Sequence, residues 1–280
     1  MPVRLIVFDL DGTLLGGDNR LSEYTISVLN DASRIEGLTL MAASGRSRWA
    51  AELVLDGTDA IDYVICSNGA SLYRRSTGTI VNRRSITPER VSGLYARVRE
   101  LLPSACWAWE TQRGIVPDDE FRVLGTQPGK ELDELLASPD LELQGDPGLP
   151  VEERLAAYGY IVRGLLTHPE LSCQQVVERL KKHVPARLSS SSAMFIEVTA
   201  PKIHKGLMLR EFCARRGIDA SEVVAFGDHL NDLTMLQWAG RGIAMNGANR
   251  EVARLIPEQT EHPHDQDGAA YATAKLIADM

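Results

Sequence analysis

Two aspartates separated by one residue follow a short apolar run near the start of the sequence. Asp9 and Asp11 come directly after the run Leu5–Phe8 and are followed by Gly12. Such a run, rich in β-branched and aromatic residues, is typical of a strand buried on both faces of a parallel sheet. Ligands of open parallel sheets bind just past the carboxyl ends of the strands. Two carboxylates at that position can bind a hard cation and attack an electrophile. The simpler interpretation is that the strand ends in a polar Asp-Gly turn with no chemical role.

Other polar residues lie at comparable positions further along the chain, either after an apolar strand or at the start of a helix. They are Ser44 and Gly45 after the predicted strand 38–43, Lys205 at a helix start, and Asp228, Asn231 and Asp232 after the predicted strand 223–226. Because the carboxyl ends of parallel strands share one edge, we expect these groups to converge. Several carboxylates together raise each other's pKa unless a cation compensates, and oxygen ligands favour Mg²⁺. A hydroxyl, backbone N–H groups and a lysine suit a phosphoryl group, so the set indicates phosphate chemistry.

Two more polar residues near these strand ends have two interpretations each. Arg46 follows Ser44-Gly45 and either attracts an anion or is a solvated surface residue. Asn68 follows the predicted strand 63–66 and either contacts a substrate or caps its own loop.

Both ends of the chain alternate short apolar strands with amphipathic helices. This alternation predicts a doubly wound, Rossmann-like α/β core with a parallel sheet. The middle of the chain mixes helices and hairpins, which predicts an inserted α+β unit. The predicted core comprises residues 1–83 and 199–280, and the inserted unit comprises residues 84–198.

Individual elements are predicted from hydrophobic periodicity and from capping residues. In the core, the main elements are strands 5–8, 38–43, 63–66, 223–226 and 242–245, and helices 22–36 and 205–216. In the inserted unit they are a helix over 87–102, a helix near 131–136, a strand over 158–163, a helix over 169–183 and a hairpin over 187–199.

Four short motifs, in their order along the chain, resemble the signatures of the haloacid dehalogenase-like superfamily, most of whose members are phosphohydrolases. The motifs are Asp9-Leu10-Asp11-Gly12-Thr13, Ser44-Gly45, Lys205-Gly206 and Gly227-Asp228-x-x-Asn231-Asp232. The α+β insertion between the second and third motifs resembles the type IIB cap of the Cof-like branch. The resemblance implies that the inserted unit is a cap that determines substrate specificity.

The resemblance also implies which residues carry the reaction. Asp9 is expected to be the nucleophile that forms an aspartyl-phosphate. Asp11 is expected to protonate the leaving group and then to activate water. Lys205 is expected to neutralise the charge of the nucleophile and the phosphoryl group, and Asp232 to orient Lys205.

The remaining matches are expected to bind the phosphate and the metal. Ser44 would donate a hydrogen bond to a phosphoryl oxygen, Gly45 would allow close approach of the backbone, and Asn231 would contact the phosphate. The expected Mg²⁺ ligands are Asp9, the backbone carbonyl of Asp11, and Asp228.

Composition restricts the possible partners and compartments. The 280 residues carry a formal net charge of −8, which argues against a nucleic-acid surface. No apolar run approaches the roughly 18 residues of a membrane span, so we expect no membrane partner. Four scattered cysteines are typical of reduced thiols in a cytoplasmic protein. We expect a monomer or a homodimer.

We therefore expect a Mg²⁺-dependent phosphatase that hydrolyses a small phosphate monoester, such as a sugar phosphate, through an aspartyl-phosphate. A phosphomutase or phosphotransferase would use the same four motifs. A non-catalytic sensor of a phosphorylated ligand would keep the fold, although it would need neither Asp9 nor Asp11.

Overall fold

The structure, a computed structural model, describes residues 2–118, 121, 146, 148–189 and 195–280. The chain forms two compact units, one comprising Met1–Asn82 and His204–Met280 and the other Arg83–Ile203. The second unit ends at Ile203, five residues later than the predicted boundary at residue 198. The reason is that strand Ile196–Thr199 pairs within the second unit's sheet. The helix predicted near residues 131–136 lies outside the described residues.

The described residues form twelve strands. They are β1 (Leu5–Phe8), β2 (Thr39–Ala43), β3 (Tyr63–Cys66), β4 (Ser71–Arg74), β5 (Thr79–Arg83), β6 (Cys106–Thr111), β7 (Ile115–Pro117), β8 (Ile161–Thr167), β9 (Arg187–Ser189), β10 (Ile196–Thr199), β11 (Val223–Gly227) and β12 (Arg241–Ala244).

The same residues form nine α-helices. They are α1 (Glu23–Ser33), α2 (Arg48–Leu55), α3 (Pro88–Leu101), α4 (Val151–Leu155), α5 (Cys173–Leu180), α6 (Lys205–Arg216), α7 (Leu233–Leu236), α8 (Arg250–Leu255) and α9 (Gly268–Ala278). Within the described part of the chain, none of these helices has the length and apolar character that a bilayer crossing needs.

The first unit is an α/β core built on one sheet of seven strands, in the order β12-β11-β1-β2-β3-β4-β5. The pairs from β12 to β3 are parallel, and β3 pairs with β4 in antiparallel fashion. Leu5 and Val7 pack with α6, α7 and α8 on one face, while Ile6 and Phe8 pack with α1, α2 and α9 on the other. The predicted burial of β1 on both faces is confirmed.

Capping residues set the ends of the core helices. The Ser22 hydroxyl accepts a hydrogen bond from Thr25 N at 2.9 Å, so α1 begins after Ser22 as predicted. Helix α6 has the predicted bounds, and it ends at Gly217, which adopts a left-handed φ of +60°.

The second unit is built on an antiparallel sheet in the order β7-β6-β8-β10-β9. Helices α3 and α5 pack against one face, where Trp107 and Trp109 stack with ring centroids 4.7 Å apart. The pairing of β9 with β10 confirms the predicted hairpin over 187–199.

Two predicted elements of the second unit have wrong bounds. The strand predicted over 158–163 is strand β8, which begins only at Ile161, because Ala156–Tyr158 form a 3₁₀ turn that ends at Gly159 with φ +85°. The helix predicted over 169–183 is the shorter α5. Ser172 caps it by accepting a hydrogen bond from Gln175 N at 3.3 Å, while the Gln175 side chain accepts from Ser172 N at 2.9 Å.

A buried ion cluster connects three strands of the second unit. Arg163 on β8 contacts Glu110 on β6 at 2.6 Å and Glu197 on β10 at 2.7 Å, and all three side chains are almost fully buried. Glu197 also accepts a hydrogen bond from the Ser189 hydroxyl on β9 at 3.0 Å. Buried charges are tolerated only when they are paired and hydrogen-bonded, so the guanidinium makes the two carboxylates acceptable in this sheet.

We predict that Arg163→Met destabilises the protein by about 3–5 kcal/mol, because it removes the guanidinium that both buried carboxylates contact. Arg97→Met is the matched control, since Arg97 pairs with Glu100 on the exposed surface of α3. The control should change the free energy of unfolding by less than about 0.5 kcal/mol. Urea unfolding of both variants measures the difference. Equal stability of the two variants would show that the buried cluster contributes nothing specific.

Candidate active site

The order of the core sheet brings three of the motifs to one edge. Strand β1 lies between β11 and β2, so the residues that follow these strands are neighbours. Asp9 follows β1, and its N–H donates to the Phe226 carbonyl at 3.0 Å, which extends the parallel pairing by one residue. Asp228 follows β11, and Ser44 follows β2.

A buried lysine joins the first, third and fourth motifs. Lys205 Nζ lies 2.6 Å from Asp9 Oδ1 and 2.6 Å from Asp232 Oδ1. The second oxygen of Asp232, Oδ2, accepts hydrogen bonds from the backbone N–H groups of Asp228 at 3.1 Å and His229 at 3.0 Å. The Lys205 side chain is fully buried, so the ammonium is held between two carboxylates and away from water.

The pKa values at this site reflect burial and crowding of like charges. Burial by itself lowers the pKa of Lys205, but Asp232 and Asp9 outweigh it and raise that pKa above its ordinary value. Burial first, and then Asp232, raise the pKa of Asp9 well above its ordinary range, against the opposing effect of Lys205. Burial and Asp232 also raise the pKa of Asp228. The site thus places one ammonium, that of Lys205, among the three carboxylates of Asp9, Asp228 and Asp232.

The carboxylates that surround Lys205 fit a divalent cation. Asp9, Asp228 and Asp232, which we call the carboxylate cluster, have ligand oxygens within 4.8 Å of one another. Both oxygens of Asp232 are already engaged, so Asp9 and Asp228 are the members available to a metal. Asp228 Oδ1 is buried and has no hydrogen-bond partner among the described residues. An all-oxygen site with an unpaired buried acceptor suits Mg²⁺.

Two glycines allow the elements of the site to approach closely. Gly12 has φ +77°, and a Cβ atom there would lie 2.6 Å from Asp228 Oδ2. Gly206, next to Lys205, packs directly against the backbone of α7. A Cβ atom at Gly206 would lie 2.4 Å from the Thr234 carbonyl oxygen. Neither position has space for a side chain.

Asp11 forms an ion pair with an arginine. Arg46 Nη2 lies 2.6 Å from Asp11 Oδ1, Arg46 Nε lies 3.0 Å from Asp11 Oδ2, and the Asp11 side chain is 46% exposed. The hydroxyl of Ser44 lies 3.5 Å from Asp11 Oδ2 and accepts a hydrogen bond from Arg46 N at 3.0 Å. Gly45, between Ser44 and Arg46, is half-buried. The sequence alone leaves the role of Arg46 open, and the structure gives it a specific partner in Asp11.

Asn231 pairs with a second residue whose role the sequence left open. Asn231 Nδ2 donates to Asn68 Oδ1 at 2.9 Å. Asn68 is buried at the end of β3, and the Asn-Gly pair after an apolar strand was the only sequence signal for it. The structure thus brings Asp9, Lys205, Asp228 and Asp232 together, Ser44 next to Asp11, and Asn231 next to Asn68.

Comparison with known proteins identifies the family. The model of the haloacid dehalogenase-like hydrolases matches residues 6–272. The chain belongs to this family. It is 27% identical to YxeH of Bacillus subtilis (strain 168), with 98% of each chain covered. It is 28% identical to the HMP-PP phosphatase of Serratia proteamaculans (strain 568), with 91% of this chain and 88% of the relative covered.

Solved structures support the same fold. A haloacid dehalogenase-like hydrolase from Bacteroides thetaiotaomicron superposes with a TM-score of 0.78 over 98% of this chain and 99% of its own, at 22% identity. The resemblance to the Cof-like haloacid dehalogenases and the predicted α/β core with an inserted cap are confirmed. The chain is a phosphatase of this family.

We predict that Gly206→Ala lowers both stability and phosphatase activity. The new methyl group would contact the α7 backbone, which costs about 1–3 kcal/mol and displaces Lys205. If Lys205 has the catalytic role predicted from the sequence, its displacement should lower kcat/KM by about tenfold to a hundredfold. Gly93→Ala on α3 is the matched control, because its Cβ meets no atom within 4 Å. The control should gain about 0.5–1 kcal/mol and keep full activity. Thermal unfolding and phosphate release measure both effects, and a fully active Gly206→Ala enzyme would contradict the prediction.

Proposed function

We propose that this phosphatase hydrolyses a small phosphate monoester, requires Mg²⁺, and forms an aspartyl-phosphate on Asp9. One observation carries the proposal: the Asp9 carboxylate is buried at the end of β1, oriented by the Lys205 ammonium and adjacent to Asp228. A carboxylate fixed beside a cation and a cation site can attack a phosphoryl dianion, because the neighbouring charges reduce the repulsion between the two anions.

The proposed reaction has two steps. In the first, an Asp9 carboxylate oxygen bonds to phosphorus, the phosphorus–oxygen bond of the ester breaks, and Asp11 gives a proton to the departing oxygen. In the second, water attacks phosphorus, Asp11 takes a proton from that water, and the bond between phosphorus and Asp9 breaks. The products are an alcohol and inorganic phosphate, and both aspartates are restored. For this role Asp11 would have to leave Arg46 and face the leaving group, and its side chain is 46% exposed.

The other residues of the site bind and orient the phosphoryl group. Ser44 and the N–H groups near Gly45 would donate to its oxygens, as would Asn231. Asp232 keeps Lys205 in position through the ion pair at 2.6 Å. Mg²⁺, held by Asp9, Asp228 and the backbone carbonyl of Asp11, would neutralise charge on the phosphoryl oxygens.

We further propose that the substrate is a small phosphorylated metabolite and that the cap selects it. Relatives carry names such as HMP-PP phosphatase and 5-amino-6-(5-phospho-D-ribitylamino)uracil phosphatase, and both names denote small phosphorylated compounds.

We also propose a cytoplasmic location. The four cysteines all lie in the described part of the chain and form no disulfide there, which is typical of proteins in a reducing compartment.

We predict that Asp9→Asn abolishes Mg²⁺-dependent phosphate release from a panel of phosphorylated metabolites. The amide keeps the shape of the side chain but is not a nucleophile, so we expect a loss of at least about a thousandfold. Asp31→Asn, on the exposed surface of α1, is the matched control and should retain wild-type turnover. Chelation by EDTA should stop turnover, and added Mg²⁺ should restore it.

Three results would change this assignment. Turnover that persists in Asp9→Asn would overturn the covalent mechanism. Phosphate transfer to an added sugar, without release to water, would indicate a phosphotransferase. Binding of phosphorylated ligands without any turnover by the wild-type protein would indicate a sensor.

A further inference from the structure

The turn that follows β3 has an unusual backbone. Ser67, Asn68 and Gly69 have φ values of +51°, +55° and +101°, so three consecutive residues are left-handed. Glycine adopts this region freely and asparagine tolerates it, whereas serine rarely does. Ser67 and Asn68 are also buried. A buried segment in such a conformation persists because its surroundings hold it there, and such segments concentrate at functional sites.

The surroundings of this 67–69 turn are the other segments of the candidate site. Ser67 N donates to the Arg46 carbonyl at 2.8 Å, and Asn68 N donates to the Ser44 carbonyl at 3.0 Å. A Cβ atom at Gly69 would lie 2.5 Å from the His204 carbonyl oxygen, immediately before Lys205. The turn is therefore packed between the segment that carries Ser44 and the start of helix α6.

The side chain of Asn68 reaches a third segment. Its Oδ1 accepts the hydrogen bond from Asn231 Nδ2 at 2.9 Å. An amide side chain can present either its nitrogen or its oxygen in a given direction. This hydrogen bond directs Nδ2 of Asn231 towards Asn68 and so fixes the position of the Asn231 oxygen. The Asn231 oxygen is buried and has no hydrogen-bond partner among the described residues. An unpaired buried acceptor does not hold a side chain in place, so among the described residues the bond to Asn68 is the hydrogen bond that orients this amide.

We propose that Asn68 is a positioning residue of the phosphatase reaction, which acts by orienting Asn231 towards the transferring phosphoryl group. The inference rests on the proposed function, in which Asn231 contacts that group. The strained 67–69 turn serves to hold Oδ1 of the Asn68 side chain at the position where it accepts the hydrogen bond from Asn231. It also keeps the segments of Ser44 and Lys205 in register with the loop that carries Asn231.

A double-mutant cycle tests the proposal. Asn68→Gly removes the side chain while glycine keeps the left-handed backbone without strain, and Asn231→Ala removes its partner. With p-nitrophenyl phosphate and Mg²⁺, we expect Asn68→Gly to lower kcat/KM by about tenfold, the value of one orienting hydrogen bond. The double variant should have the same kcat/KM as Asn231→Ala alone, because the effect of Asn68 passes through Asn231. Reductions that multiply, or an unchanged Asn68→Gly enzyme, would overturn the proposal.

Asn19→Gly is the matched control for the backbone. Asn19 is also left-handed, with φ +60°, but it is exposed. We expect this variant to keep wild-type kcat/KM, and a loss equal to that of Asn68→Gly would count against a specific role of Asn68.

A readout without turnover separates this inference from the proposed function. The side-chain amide signals of Asn231 in a ¹⁵N–¹H NMR spectrum are identified by their loss in Asn231→Ala. They should shift in Asn68→Gly and not in Asn19→Gly, and an unchanged signal in Asn68→Gly would overturn the inference. A wild-type protein that shows this shift pattern but releases no phosphate would contradict the proposed function alone.

Discussion

The ion pairs of Lys205 are the interaction on which the candidate site depends. An ammonium fully removed from water is unfavourable unless its partners are close and well oriented, and here Asp9 and Asp232 both lie at 2.6 Å. Asp232 is itself fixed by two backbone N–H groups of the loop after β11. The position of one buried nitrogen is therefore tied to the position of Asp9 at the end of β1 and, through Asp232, to the conformation of the loop that carries Asp228 and Asn231.

These groups meet because of the strand order. Lys205 and Asp9 are separated by 196 residues, and no local preference could bring them together. The central position of β1 between β11 and β2 does so, since parallel neighbours end at the same edge. The same geometry concentrates the carboxylates of Asp9, Asp228 and Asp232 at that edge. Carboxylates this close repel one another, so a bound cation would stabilise them.

The sequence was sufficient to predict the core strands, their burial and the edge at which the motifs lie, because apolar runs and capping residues such as Ser22 have direct physical meanings. It was less informative where structure depends on details that periodicity does not encode. The start of β8 depends on the left-handed Gly159, and the partners of Arg46 and Asn68 depend on side-chain directions. A turn of three left-handed residues has no reliable pattern, since two of the three are not glycine.

The position of the inserted unit also affects how the protein is made. Strand β1 is synthesised before its neighbour β11, and the whole of the second unit, which ends at Ile203, is translated between them. On the ribosome, β1 can pair with β2 at once, while its other edge stays uncovered until β11 emerges. Uncovered strand edges promote association between chains. The nascent chain therefore carries this uncovered edge of β1 while the second unit is being translated, and Lys205 and Asp232 can reach Asp9 only after that unit is complete.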